Sequence, residues 1–324
     1  MKKILFTLVC LMTMGVPGVM AQNAKIILQH NGNATFYAAD NTQSALDAAV
    51  DGDTIYFNKG TFSGGFTITK KVALIGAGID EEGYYQSIID GNITVSIGSG
   101  EDILTARLLE GLYINGTVKV KKSIDNLVIR KCCFSTLDYE RDSYKNDQGS
   151  TVYVYPYYSA IIDRCRLTYY LELYEYNKTL EVYNSYLYNV SKGYGTVISP
   201  EVIVFNNCGI ERGGEVTATY RNCILGSTNS SSNNITAKYI NCLCAGKFYT
   251  SAEYSNCWYN TNAWSLTNAE LQEKGYIGDD GTIVGWFGGE TPYTMVTDAP
   301  KITGYSSTVD PKARKVTVNL KVTQ

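Results

Sequence analysis

The carboxylate, histidine and cysteine side chains of this sequence are numerous enough for chemistry but are not spaced for it. Glycoside hydrolysis sets two or three carboxylates across the scissile bond, one as acid and one as base or nucleophile. The pair Asp279-Asp280 lies in a Gly-rich stretch and reads as a turn. The sole histidine, His30, stands near the N-terminus, and no Cys-x-x-Cys pair, histidine cluster or Asp-x-Asp-x-Asp-Gly loop offers a metal site. Eliminative cleavage of a uronate needs a base, often Lys or Arg, with Ca2+ or a basic group neutralising the carboxylate. Arg130, Lys131, Arg164 and Arg166 share a recurring column and could serve, although a basic residue at each repeat is also ordinary surface. Ca2+ therefore enters only with a lyase, and no other cofactor is expected.

Tyrosine is the unusual component: the chain has 27, many of them crowded between Tyr139 and Tyr194. They include Tyr153-Val154-Tyr155, Tyr169-Tyr170-Leu171-Glu172-Leu173-Tyr174, and Tyr183, Tyr186 and Tyr188. Where aliphatic residues point inward, strand alternation sends their neighbours outward, which predicts Tyr153, Tyr155, Glu172 and Tyr174 on an outer face. Stacked exposed rings mark binding surfaces, and cross-strand tyrosine pairs also stabilise a sheet without binding anything. On the binding reading, Tyr153, Tyr155, Tyr170 and Tyr174 are platforms for the flat C–H faces of sugar rings. Glu172, Arg164 and Arg166 would hydrogen-bond hydroxyls or carboxylates beside them.

The elements that must position these residues are written as a repeat. Between residues 202 and 259 one phrase recurs four times: Phe205-Asn206-Asn207-Cys208, Tyr220-Arg221-Asn222-Cys223, Tyr239-Ile240-Asn241-Cys242 and Tyr254-Ser255-Asn256-Cys257. By subtraction of their cysteine numbers the copies lie 15, 19 and 15 residues apart, too short for helical solenoids and right for one coil of a parallel β-helix. Earlier copies carry Ser185, Cys165 and Cys132 at the cysteine position, with a weaker one at 108–113. Val152-Tyr153-Val154, Leu171-Glu172-Leu173 and Val197-Ile198 read as second strands upstream of their rungs. Within the phrase, the small Cys or Ser is expected to point into the core beneath a turn, and the Asn to form an amide ladder from rung to rung.

Cysteines in one column send their side chains parallel up the stack, so Cys132, Cys165, Cys208, Cys223, Cys242 and Cys257 are expected as buried free thiols, not disulfides. Cys133 and Cys244 fall off the column. The segment 135–150 is polar, lacks apolar periodicity and reads as a loop leaving the solenoid, a candidate wall of a groove.

Residues 1–21 have a Lys2-Lys3 start, an apolar stretch and a small-residue site at Val19-Met20-Ala21, the pattern of a secretory signal peptide. Its removal takes two lysines from a formal charge of −3, leaving −5, with both signs spread along the chain, which argues against a nucleic-acid partner. No later stretch is long and apolar enough for a transmembrane span. Residues 41–50 predict an amphipathic helix with Asn41 or Thr42 as N-cap and Ala45, Leu46, Ala49 and Val50 on its apolar face, placed to cover the open end of the core. Residues 22–262 then form the solenoid, and 263–324 a capping or docking segment. That segment holds a short helix at 265–274, a Gly-rich connection, and one terminal strand marked by Val316, Val318, Leu320 and Val322.

The opening Gly52-Asp53-Thr54-Ile55-Tyr56-Phe57-Asn58-Lys59-Gly60-Thr61-Phe62, with Phe66-Thr67-Ile68 and Lys71-Val72-Ala73-Leu74-Ile75-Gly76, resembles the first coils of secreted bacterial proteins of the pectate-lyase-like superfamily. The resemblance spans about residues 42–259. It implies an all-β, right-handed parallel β-helix that is secreted, periplasmic or on the outer surface of a bacterial envelope. Relatives of this kind include lyases, hydrolases and adhesin-like binders. The Asn-Thr-Asp, Asp-Asp and Gly-His-Gly pattern of polygalacturonases is absent here, as is a pectin-esterase trio of two Asp and an Arg on coil strands. The reading is thus a non-catalytic protein that binds a polysaccharide or cell-surface glycan. A lyase acting on uronate-containing glycans and a purely structural surface protein are the alternatives.

Overall fold

The computed structural model describes residues 24–79, 84–97, 108–140, 142–154, 158–173, 179–192, 202–213, 216–227, 237–246, 253–296, 301–310 and 315–323. Two long sheets enclose one core, and the chain alternates between them. The first sheet begins with an antiparallel pair, Lys25–His30 and Asn33–Ala38, and continues as ten parallel strands from Thr54–Phe57 to Glu253–Ser255. The second runs from Gly60–Ser63 to Trp258–Tyr259, every pairing parallel. Each strand pairs with its counterpart one coil away, so the fold is an all-β parallel β-helix whose coils rise by about 4.8 Å. Along the first sheet, Ile129, Ile162, Val182, Phe205, Tyr220 and Tyr239 occupy one inward register position and are wholly buried. The rings of Phe205, Tyr220 and Tyr239 stack at 5.0 Å with interplanar angles of 7° and 13°, because the coil rise falls within the centroid spacing of offset-stacked rings.

The repeated phrase is the corner between the sheets. In coil after coil, one strand ends at the residue before the Asn and the other begins right after the Cys. Asn184, Asn207, Asn222, Asn241 and Asn256 all have φ between 45° and 53°, the left-handed conformation that Asn tolerates better than other residues with a Cβ. Lys131 and Arg164 take the same conformation at earlier corners. The expected amide ladder forms: Asn256 Nδ2 donates to Asn241 Oδ1 at 2.8 Å, and Asn241 Nδ2 to Asn222 Oδ1 at 3.3 Å. The cysteine that follows turns inward, and its thiol donates to carbonyls of its own coil and the preceding one. Cys208 Sγ lies 3.3 Å from both Asn206 O and Val182 O, and Cys242 Sγ lies 3.3 Å from Tyr220 O. Ser185 explains its own presence in this column, since Oγ donates to Tyr183 O at 2.7 Å and accepts from Cys165 N at 2.9 Å.

Two expectations about the strands are corrected. The second strand of a coil follows the corner instead of preceding the phrase: Leu171-Glu172-Leu173 is the far end of Arg166–Leu173, which starts right after Cys165. Val152-Tyr153-Val154 lies in a two-stranded antiparallel hairpin, Asp142–Lys145 with Thr151–Val154, which pairs with neither large sheet. Residues 197–198 lie outside the described residues. The segment 135–150 is also not one loop, because Cys133–Tyr139 is a strand of the second sheet and the excursion begins after it.

At the N-terminal end, the helix Thr42–Ala48 buries Ala45, Leu46 and Ala49 in the main core, next to Ile26 and Leu28 of the opening hairpin. Val50 does not join them and is 48% exposed. The chain becomes extended at Ala49, which rotates Val50 off the apolar face, and the Val50 N–H is taken by Asp53 Oδ2 at 2.8 Å. Asn41 is the N-cap without a side-chain cap bond; Thr42 Oγ1 donates instead to Ser63 O at 3.3 Å. Lys70 Nζ satisfies the other end, donating to the carbonyls of Leu46, Asp47 and Ala49 at 3.2, 2.5 and 2.6 Å. Past the last coil come a 3-10 turn, Ala263–Ser265, and a helix, Asn268–Glu273, with a complete Thr267/Glu270 capping box. The single terminal strand expected at 316–322 is one arm of a hairpin, Lys301–Asp310 with Lys315–Thr323.

The corner yields two predictions. Asn222→Ala should cost about 2–4 kcal/mol in urea unfolding, combining the left-handed penalty with lost amide bonds, whereas Asn222→Gly keeps the backbone conformation and should cost about 1–2 kcal/mol; equal losses would contradict this division. Burial pushes the Cys132 thiol up to about 12 and raises Cys165, Cys223 and Cys242 as well. A thiol reagent at neutral pH should therefore leave these four untouched in the native protein. In denatured, unreduced protein it should label all eight cysteines that the structure holds as free.

Candidate functional site

The outer face of the second sheet carries the tyrosine-rich coils. The strand Arg166–Leu173 has a register irregularity between Leu167 and Leu171, so alternation breaks and Thr168, Tyr169 and Tyr170 are consecutively outward or half-exposed. Tyr169 and Tyr170 meet edge to face at 4.1 Å between ring centroids. The hydrogen bond with Tyr170 raises the Tyr169 phenol pKa, with smaller contributions from the field of Tyr170, burial and the field of Tyr188 on the next coil. Over that neighbouring ring, at 5.0 Å, lies the guanidinium of Arg212. Arg166 lies over the Tyr186 ring at 5.5 Å, and the Tyr186 hydroxyl donates to the Glu211 carboxylate. Burial, then the Glu211 bond, pushes the Tyr186 phenol up to about 12. The result is a ridge of rings and guanidinium planes spread over three coils.

Of the residues expected to bind, Arg166, Tyr170 and Glu172 share this strand, Arg166 exposed and the other two half-buried. Glu172 faces outward between the wholly buried Leu171 and Leu173, as alternation predicts. Arg164 stands apart: it occupies the left-handed corner and forks onto Asp163, with Nε to Oδ2 at 3.0 Å and Nη2 to Oδ2 at 2.7 Å. Tyr153, 49% exposed, is on the separate hairpin. Tyr155 and Tyr174 lie outside the described residues. The expected basic column is reduced to one pair, Lys131 with Arg164, because Arg130 aligns with Asp163 and Arg166 with Cys133. Arg130 is paired with Glu110 at 2.8 Å. The ridge residues not singled out from sequence are Tyr169, Tyr188, Glu211 and Arg212. Their signal was the tyrosine density itself, obscured by assuming strict alternation.

A segment of the tail defines one border of the ridge. Residues 276–296 run back along the outside of the second sheet, from the last coils to the second, where Met295 O accepts from Ile79 N at 3.3 Å. Trp286 lies so close to Gly209 that a Cβ there would come within 2.0 Å of its ring, and at Gly226 a Cβ would meet Glu211 O at 2.1 Å and the Trp264 indole nitrogen at 2.4 Å. Both indoles lie edge-on to Tyr186, at 6.1 Å for Trp264 and 5.7 Å for Trp286. The tail is pinned by the corner asparagines. Asn222 Nδ2 donates to Asp279 Oδ1 at 2.9 Å and Asp280 Oδ2 at 3.2 Å, Asn207 Nδ2 to Asp280 Oδ2 at 3.0 Å, and Asn184 Nδ2 to Gly288 O at 2.6 Å. Arg221 pairs with Asp279. Asp279 and Asp280 thus continue the amide ladder into the tail. Among the described residues no group of three or more His, Cys, Asp or Glu side chains is arranged to hold a metal ion, and no helix is long and apolar enough to cross a membrane.

Partial burial opposes ionisation of Asp279, but the Asn222 bond and the Arg221 guanidinium outweigh it and hold the carboxyl below the usual range. A depressed folded pKa stabilises docking fully above the unfolded carboxylate value and loses that contribution as pH falls through the folded one. Acidification should therefore weaken the docking of the tail in a step below the ordinary Asp range, read as a change in tryptophan fluorescence. Asp279→Asn should remove the step; a step of undiminished size in that variant would assign it elsewhere.

No protein-family model matches this chain, and no curated protein or solved structure is significantly similar to it.

Proposed function

We propose that this chain is a secreted or surface-associated protein that binds a polysaccharide or cell-surface glycan, without catalysis, through the outer face of its second sheet. The observation that carries the reading is the ridge of Tyr169, Tyr170 and Tyr188 with Arg166 and Arg212, borne on strands whose inward neighbours are fully buried. Sugar C–H faces stack on such rings, and guanidinium edges hydrogen-bond the hydroxyls or acid groups beside them. The rings are held by a sheet and not by a loop, so little conformational freedom is lost on binding. The resemblance of residues 52–76 to the pectate-lyase-like superfamily supports an extracellular carbohydrate partner, and the leader-like residues 1–21 support export to the periplasm or outer surface of a bacterial envelope. The carboxylates Asp279 and Asp280 are already engaged by asparagines, which favours binding over hydrolysis.

A glycan array should identify a ligand, and Tyr169→Ala and Tyr170→Ala should each weaken its binding by about 1 kcal/mol, roughly fivefold in Kd. Tyr84→Ala, an exposed ring on a different coil, serves as the control that leaves affinity unchanged. A Tyr169/Tyr170 double alanine variant that binds as tightly as wild type would remove this face from consideration, and release of unsaturated uronate from any polysaccharide would overturn the non-catalytic reading.

A further inference from the structure

Among the described residues, the first sheet begins on a strand that is paired on one side only, Asn33–Ala38. It is joined to Lys25–His30 by the turn Asn31-Gly32, whose φ values of 45° and 83° are those of the two-residue type I′ hairpin. The backbone groups of a strand point alternately to its two edges. Lys25 O accepts from Asn58 N at 3.3 Å, on the side of Thr54–Phe57, so Ile26, Leu28 and His30 face the other way and bond Tyr37, Thr35 and Asn33 across the hairpin. The N–H groups of Ala34, Phe36 and Ala38 and the carbonyls of Ala34 and Phe36 are therefore aimed at the open edge, while Ala38 O accepts from Asn41 N at 3.0 Å. Beyond Ala38 the chain turns away from that edge, and Ala39 O accepts from Ser63 N at 3.2 Å.

Sheet edges are ordinarily protected by charge, proline or a bulge. Asn33-Ala34-Thr35-Phe36-Tyr37-Ala38 has no charged residue and no proline, and its register with Lys25–His30 is unbroken. Thr35 and Tyr37 lie opposite the buried Leu28 and Ile26 on the core side, whereas Phe36 lies opposite Ile27 on the outer side and is 41% exposed. The residues facing the open edge are symmetric about Phe36. A second Asn33–Ala38 strand laid antiparallel and centred there sets Phe36 opposite Phe36 and Ala34 opposite Ala38, and keeps Thr35 opposite Tyr37 on the core side. It makes a reciprocal pair of N–H···O bonds at Phe36 and one from each Ala38 N–H to the other copy's Ala34 O. Identical surfaces bring like charge against like charge, and this strand carries none to repel; its alanines leave room for the two rings to meet. The helix Thr42–Ala48 packs beneath both strands of the hairpin, which sets its two copies about two strand spacings, roughly 10 Å, apart, close to the about 8–10 Å of packed helices. Its exposed residues include the small Ser44 and Ala48. Its one charge, Asp47, accepts from Gln43 Nε2 at 2.8 Å, and Gln43 is drawn aside to the backbone of Thr67 in the second sheet.

We propose that this edge is a homodimer interface, in which Asn33–Ala38 of two copies pair antiparallel about a two-fold axis at Phe36 and run the two first sheets together. The contact is isologous and closes at two copies. The test is sedimentation velocity of residues 22–324 over a concentration series, for wild type, Phe36→Lys and Phe36→Asp. Both substitutions replace an exposed side chain on the outer face, and an unchanged far-UV circular dichroism spectrum shows that the coils are intact. Wild type should be a dimer that dissociates on dilution. Each variant should be monomeric where wild type is dimeric, because the axis sets like charges opposite each other. An equimolar mixture of the two variants should recover a dimer, with Lys opposite Asp. A wild type that stays monomeric or grows beyond a dimer, variants that dimerise like wild type, or a mixture that remains monomeric would each overturn the proposal.

Discussion

Everything in this structure depends on a chain that must turn sharply between two sheets once per coil without stranding backbone polar groups in the core. A parallel coil has no hairpin to do this, and a two-residue corner leaves carbonyls facing inward with no strand partner. The solution is a left-handed residue followed by a small inward donor. Asn supplies the positive φ at low cost, and the thiol or hydroxyl of the next residue caps the carbonyls of its own strand end and of the coil below, as Cys208 does for Asn206 and Val182. A thiol is a weak donor, yet it is small and apolar enough to stack in a narrow column. The cysteines are conspicuous because of corner geometry, not because of redox or metal chemistry.

The same corner explains how the tail is held. An amide ladder that ends in the middle of a stack leaves donors unsatisfied, and Asn222, Asn207 and Asn184 send theirs to Asp279, Asp280 and Gly288 O. Lateral docking then needs flat places on the sheet. Gly209 and Gly226 provide them, and the two tryptophans fill the space a Cβ would have taken. Polar pins at the corner and indoles on the sheet are complementary: the first fix register along the axis, the second supply buried apolar area.

The coil repeat, the inward cysteines, the amide ladder and the capping helix could all be read from spacing, because a solenoid writes each structural need once per turn. Where the reading failed, a local irregularity had overridden the period. Val50 was lost when the helix unwound at Ala49, and Tyr169 was hidden by a register shift that strict alternation cannot anticipate. Tyr153 was assigned to a coil because Val-Tyr-Val alternates equally well in a hairpin that leaves the solenoid. The path of the tail was illegible for a different reason. Its contacts join residues 57 to 104 positions apart, and no local pattern ties Trp286 to Gly209 or Asp280 to Asn207. Even so, a glycine straight after Asn207-Cys208, where other rungs carry larger residues, is the trace that such a partner leaves.

A β-helix separates stability from recognition more completely than most folds. Inward positions are constrained by neighbours above and below, which is why Phe205, Tyr220 and Tyr239 stack in register, whereas outward positions meet solvent, the tail or one another across coils. Recognition can therefore be built by substitution along a face without disturbing the core, and the rings of Tyr169, Tyr170 and Tyr188 are placed where such substitution is cheapest. The tail limits that freedom on one side, because Tyr186 is shared between Arg166, Glu211 and the two indoles. Any ligand lying along the ridge would thus run beside the docked tail, and what holds the tail in place also sets the width of the face left for binding.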